Sequence, residues 1–196
     1  MPDDRRITII SGGQTGADRA ALDFAIEYGF DHGGWCPRGR KAEDGPIPAR
    51  YELRETPSRR YAQRTEWNIR DSDGTLVVSI AAEPQGGTRL TLELARRLGK
   101  PILHVARENA SASGTNASLL SEFRLKHSIE ILNVAGPRVS QEPEIVAFVA
   151  GVLGDRFYRK RRKVKPIGAR SASKALPQST VSDYRNCHRL STTNHP

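Results

Sequence analysis

Large apolar side chains are scarce in this chain. Hydrophobic residues fill 37% of its 196 positions, and no run approaches the ~20 apolar residues that a membrane span needs. The N-terminal Met-Pro-Asp-Asp-Arg-Arg lacks the apolar stretch of a signal peptide, so a cytoplasmic location is expected, with no membrane partner. The two cysteines, Cys36 and Cys187, make no disulfide framework, and a packed Cys36 is the commoner reading than a reactive thiol. The five histidines, His32, His104, His127, His188 and His195, do not pair with other ligands at metal-site spacing, so no metal site is expected. Neither a G-x-S-x-G elbow nor a Ser-His-Asp order is evident.

Net charge is missing from most of the chain as well. The formal charge is +9, yet residues 155–196 hold 11 basic residues and only Asp155 and Asp183 as acids, while residues 1–154 carry 20 of each sign. The alkaline balance therefore describes the tail. Nucleic-acid binding would rest on that tail alone, would be non-specific and would vanish as salt rises. A basic, Ser/Thr-rich segment is more often solvated and disordered. These contrasts divide the chain into a domain over 5–154 and a basic tail over 155–196.

What is present is an alternation. Ile7–Ile10 is a β-branched run that reads as a buried strand. Ser11 to Gly16 breaks it, and apolar residues from Ala17 to Tyr28 then recur at helical steps, with Gly29 placed to end the helix. Thr75–Ile80, Ile102–Val105 and Ile129–Val134 read as further strands. Helical patterns lie over 58–70, 90–98, 116–127 and 141–153. Four uniformly apolar strands alternating with helices predict an α/β fold: a Rossmann-like, doubly wound, mostly parallel sheet with helices on both faces. Between Gly33 and Pro57 lies a long loop, a length that in a compact domain points to function or disorder; Trp35, Cys36, Ile47 and Tyr51 argue against disorder.

Three segments carry chemistry. Gly12, Gly13, Gln14, Thr15, Gly16 and Asp18 form a turn between strand and helix, where glycine allows close backbone approach and the helix N-terminus attracts an anion. The turn is neither a P-loop nor G-x-G-x-x-G, and a tight turn capped by Thr15 would also explain it. Gly86, Gly87 and Thr88 repeat that geometry one unit later, so two turns can face one ligand. Arg89 and Glu93, one helical turn apart, are either an exposed ion pair or ligand contacts. In the long loop, Arg38, Arg40 and Lys41 form a cationic cluster suited to an oxyanion, with Glu43 and Asp44 to orient it; a solvated charged loop is the plainer alternative. Arg64 to Asn68, with Arg70, Asp71 and Asp73 after it, reads either as pocket lining or as a structural network. Together these features predict a phosphorylated small-molecule ligand.

The segments SGGQTGADRAALDFA at 11–25, GGWCPRGRKAEDGPIPARY at 33–51, ETPSRRYAQRTEWNIRDSDGTLVV at 55–78, GGTRLTLELARRLGKPILHV at 86–105 and LNVAGPR at 132–138 resemble the molybdenum carrier family. That family is a branch of a Rossmann-like superfamily that also holds the lysine-decarboxylase-like phosphoribohydrolases. The resemblance covers residues 7–153. It implies a homo-oligomer and molybdenum cofactor as cargo: a pterin with a phosphate and a dithiolene-held molybdenum. The phosphate would lie on the two Gly-rich turns, Arg38 and Arg40 would meet phosphate or molybdenum oxygens, and Trp35 would pack on the pterin. Two other readings stay open: a binder or sensor of a nucleotide-derived ligand, and a phosphoribohydrolase. The hydrolases carry P-G-G-x-G-T-x-x-E. Here Gly86, Gly87 and Glu93 keep that spacing, but Gln85 replaces the Pro, and Arg89 and Leu90 replace the Gly-Thr.

Overall fold

In the computed structural model, residues 7–109 and 116–158 are described. The elements run β1 (Thr8–Ile10), α1 (Ala17–Tyr28), β2 (Asp31–Gly33), four two-residue strands β3 (Trp35–Cys36), β4 (Lys41–Ala42), β5 (Gly45–Pro46) and β6 (Arg54–Glu55), then α2 (Tyr61–Arg70), β7 (Gly74–Ser79), α3 (Gly86–Arg97), β8 (Ile102–Ala106), α4 (Asn116–His127), β9 (Ile131–Ala135) and α5 (Ile145–Leu153). The tail expected over 155–196 lies, from residue 159 on, outside the described residues. Gly154–Tyr158 form one π-helical turn, and Phe157 is fully buried, its ring centroid 5.5 Å from that of Phe30.

Five strands form one parallel sheet in the order β2-β1-β9-β7-β8. All six residues of β7 are buried, as a strand covered on both faces requires. On one face α1, α4 and α5 supply Phe24, Leu120, Phe123, Val149 and Leu153 to a core that also takes Ile9, Leu76 and Leu132 from the strands. On the other face α2 and α3 pack together, with Ile69, Leu94 and Ala95 buried. Each such apolar side chain removed from water contributes about 1.5–3 kcal/mol, so the two helix layers hold the sheet between them.

The strand β2 was not legible as a strand. Asp31-His32-Gly33 has no apolar run, and it is ordered by pairing Thr8 with Asp31, Ile9 with His32 and Ile10 with Gly33. The long loop after it is not irregular either. Trp35–Cys36 pair in parallel with Arg54–Glu55, and Lys41–Ala42 form an antiparallel hairpin with Gly45–Pro46. A separate small core of Leu22, Cys36, Ala42, Ile47, Tyr51 and Leu53 fastens this lobe to α1.

The strand order has a positional consequence. Counted by appearance in the sheet, it is 2-1-5-3-4. If β9 is counted first, it becomes 3-2-1-4-5, the order of doubly wound nucleotide-binding sheets. The helix that follows β9, α5, packs beside α1, whereas the helix that follows β7, α3, packs beside α2 on the opposite face. The winding therefore reverses between β9 and β7. A crevice opens at such a reversal, outside the carboxyl ends of the strands. Here its walls are the segments after β9 (136–144) and after β7 (80–88), flanked by the turn after β1.

Candidate functional site

The first Gly-rich turn is crowded by the protein itself. A Cβ on Gly12 would overlap the Arg64 guanidinium, and one on Gly13 would lie 2.5 Å from Leu53 Cδ1 and 3.0 Å from Ile47 Cδ1. At Gly16 it would overlap the Pro137 carbonyl and lie 2.6 Å from Val139 N. Gly13 and Gly16 also hold φ of 73° and 79°, which glycine adopts without the strain a Cβ brings. Thr15 does not cap the helix: α1 has no side-chain cap. The Thr15 hydroxyl instead donates to Glu43 Oε1.

Below this turn sits a buried ion pair. Arg64, on α2, donates Nη1 to Asp18 Oδ2 at 2.9 Å, and Asp18 also accepts from the Gln14 N–H at 3.2 Å. Burial lifts the Asp18 carboxyl above its ordinary range, although Arg64 and the Gln14 N–H pull the other way. Two buried donors are left over, Arg64 Nε and Gln14 Nε2. Gln14 Oε1 accepts from the N–H groups of Thr15 and Glu43, so the orphan amide nitrogen lies beside the loop that carries Glu43.

That loop is latched over the turn. Glu43 takes hydroxyl hydrogens from Thr15 and from Ser140 (2.6 Å), and Arg19 grips Asp44 with two nitrogens while its Nε donates to Gly13 O. Partial burial acts to raise the Glu43 pKa, but the Ser140 and Thr15 hydroxyls and Arg138 outweigh it and hold the carboxyl below its ordinary range. Asp44 is held low by Arg19. Arg40 has a task inside the loop: its guanidinium donates to the carbonyls of Ile47, Pro48, Tyr51 and Leu53 at 2.8–3.2 Å. A guanidinium with those four acceptors has little left for a ligand. Arg38 is exposed, and its N–H donates to Ser58 O.

Trp35 stands apart from the turns. Its Nε1 donates to Asp71 Oδ2 at 2.7 Å, Asn68 clasps its backbone N–H and carbonyl, Arg54 lies 4.2 Å from the ring centroid and Trp67 meets it edge-on. Of the segment 64–73, then, Asn68 and Asp71 form a structural network, and Arg64 alone reaches the first turn.

The second turn differs. No atom lies within 4 Å of a Cβ built on Gly87, and at Gly86 the nearest is Gln141 Nε2 at 3.7 Å. Gln85, the residue before α3, makes no side-chain cap; its carbonyl accepts from the Thr88 N–H at 3.2 Å, which leaves Gly86 and Gly87 as the open residues at the positive end of the helix dipole. Thr88 is buried behind them. Arg89 and Glu93 form an ion pair at 3.3 Å with side chains 69% and 56% exposed.

Sequence reasoning missed two groups in the crevice wall. Arg138, after β9, lies 4.9 Å from the Tyr61 ring centroid, with Nη1 3.9 Å from Glu43 Oε2. Glu142 sets its carboxylate on the N–H groups of Ile80 (2.6 Å) and Ala81 (3.4 Å). For Arg138 the signal was the G-P-R after an apolar strand; Glu142 left none. Among the described residues no three His, Cys, Asp or Glu gather as metal ligands, and no helix is long and apolar enough to cross a membrane.

Comparison with known proteins agrees with this architecture. The model of the circularly permutated YpsA SLOG family matches residues 9–157. No curated protein matches. A solved structure from Syntrophus aciditrophicus SB, named a putative molybdenum carrier protein, is 44% identical, covers 78% of this chain and 96% of its own, and superposes with a TM-score of 0.73. On both findings, the chain belongs to the circularly permutated YpsA SLOG family and is a relative of the Syntrophus protein named a putative molybdenum carrier.

Proposed function

We propose that the protein is a carrier that binds a molybdenum-bearing, phosphorylated ligand of the molybdenum-cofactor type in the crevice between β9 and β7. The similarity to the Syntrophus protein suggests the cargo. The observation that carries the ligand class is the pair of buried donors with no acceptor, Arg64 Nε and Gln14 Nε2, beside a Gly-rich turn. A buried donor left unpaired costs about 1–3 kcal/mol, and oxyanion oxygens would relieve that cost. The open N-terminus of α3 at Gly86 and Gly87 adds N–H groups for a phosphate. Asp18 fixes the Arg64 guanidinium against Gly12 and balances its charge. Homo-oligomeric assembly is part of this reading, and light scattering on the full chain reads it.

The test is native mass spectrometry of the purified full chain with elemental analysis for molybdenum on the same sample. A mass increment of a phosphorylated pterin together with molybdenum supports the carrier reading. A nucleotide-sized increment without molybdenum replaces it with a nucleotide-type binder. The retained spacing of Gly86, Gly87 and Glu93 favours a phosphoribohydrolase as the second reading, and there Glu93→Gln abolishes release of free base from a nucleoside monophosphate. Glu93 stands in a solvated pair with Arg89, which weighs against it.

A further inference from the structure

We propose that Arg138 and Lys41, both held against the ring of Tyr61, form a second oxyanion subsite, so that the crevice takes a ligand with two anionic groups. The proposal rests on the reading that this crevice binds an anionic ligand, and it names the ligand's second recognition point.

Three elements far apart in sequence converge here. Lys41 begins the hairpin of the long loop, Tyr61 begins α2, and Arg138 lies in the turn after the central strand β9. Lys41 Nζ is 5.2 Å and Arg138 Cζ 4.9 Å from the same ring centroid. A tyrosine face attracts one cation readily; two cations brought to one ring repel each other unless an anion stands near. The carboxylate beside Arg138 is Glu43, 3.9 Å away, and its two oxygens already accept the Thr15 and Ser140 hydroxyls. One carboxylate against two cations leaves a net positive charge at the mouth of the crevice.

The chemistry suits a tetrahedral oxyanion, phosphate or molybdate. A guanidinium offers a planar fork for two oxygens, and an ammonium adds a point charge from a second direction. Both side chains are docked on the ring beforehand, so less rotamer freedom is lost on binding. The subsite is coupled in space to the open turn of α3 by one side chain. The Arg138 N–H donates to Gln141 Oε1 at 3.4 Å, and Gln141 Nε2 lies 3.7 Å from the Cβ position of Gly86. Two anion positions therefore sit on either side of Gln141, one at Gly86 and Gly87 and one at Lys41 and Arg138.

Isothermal titration of the full chain with sodium phosphate and with sodium molybdate, at low ionic strength, tests this. The wild type is expected to take up two oxyanions. Lys41→Gln and Arg138→Gln each weaken one of them about tenfold, the loss of one charge-assisted contact, and spare the other; Gly87→Val does the reverse. Lys41 is exposed, so its variant keeps the test open if Arg138→Gln fails to fold. Arg97→Gln, at the far end of α3, controls for net charge and leaves both uptakes unchanged. An Arg138-sensitive event seen with molybdate alone assigns the oxometal end of the ligand to this subsite, and one seen with phosphate alone assigns the phosphate end. Wild-type titrations in Lys41→Gln and Arg138→Gln, or an equal loss in Arg97→Gln, overturn the subsite. A single uptake lost equally in Gly87→Val and Arg138→Gln overturns the two-site ligand but keeps the anion-binding crevice. A silent Gly87→Val, with no molybdenum or phosphorylated compound in the purified protein, overturns the carrier reading instead.

Discussion

The two Gly-rich turns look alike as sequence and differ as matter. Each follows a buried strand and opens a helix of 12 residues. At the first, the space that a side chain would fill is taken by Arg64, Leu53, Ile47 and the backbone of 137–139. At the second, Gly87 faces open space and Gly86 has one distant neighbour. Glycine at 12, 13 and 16 lets the protein close on itself; glycine at 86 and 87 leaves room for something else. One signal has two physical causes, and only the tertiary surroundings separate them.

Substitutions break this comparison in a definite order. Gly16→Ala drives a Cβ into backbone that cannot swing aside and places alanine at φ 79°, so unfolding in urea is expected to show a loss of about 3 kcal/mol or more. Arg64→Leu strands Asp18 and costs about 3 kcal/mol near neutral pH. Burial has already raised the Asp18 pKa, and loss of Arg64 raises it further. The deficit is therefore smallest below the wild-type folded pKa, where Asp18 is protonated in both folded proteins, and grows as pH rises from that value toward the still higher folded value of the variant. A deficit flat with pH would refute that assignment. Gly87→Val, by contrast, leaves stability within about 1 kcal/mol and abolishes ligand retention by the purified protein; a large stability loss would erase the difference between the turns.

Smaller effects sharpen the picture. The folded pKa of Glu43 is lowered, so its latch contributes stability above the ordinary glutamate pKa and loses it as pH falls through the folded value. Glu43→Gln is expected to flatten that acid limb in pH-resolved thermal melts, and an unchanged limb would assign it elsewhere. Least of all, Glu93→Ala changes stability by at most about 0.5 kcal/mol, because its pair with Arg89 is solvated.

Much of the fold was legible because local patterns carried it. The apolar runs at Thr75–Ile80 and Ile102–Val105 and the helical spacing of Ala17 to Tyr28 depend only on neighbours in the chain. The strand β2 escaped because Asp31-His32-Gly33 is a strand only by virtue of β1 beside it. The site was read in part. Glu43 does meet the first turn, but Arg40 reads as a ligand cation in sequence and turns out to hold four carbonyls of its own loop. A hint was there: Arg40 lies between Gly39 and Gly45 and holds φ 49°, the mark of a tightly folded loop. Arg64 and Arg138 gain their meaning from Gly12 and Tyr61, which are 52 and 77 positions away in the chain, a separation that no local pattern encodes.

The placement of β9 also bears on the order of events during synthesis. It pairs with β1 on one side and β7 on the other, yet it emerges from the ribosome after every other strand of the sheet. Without it β2-β1 and β7-β8 would be two strand pairs with open inner edges, and the wall that carries Arg138 and Ser140 would be missing. The nascent chain must hold those edges apart from other chains for the time needed to add residues 131–135. One late strand thus both closes the sheet and completes the wall that carries Arg138 and Ser140.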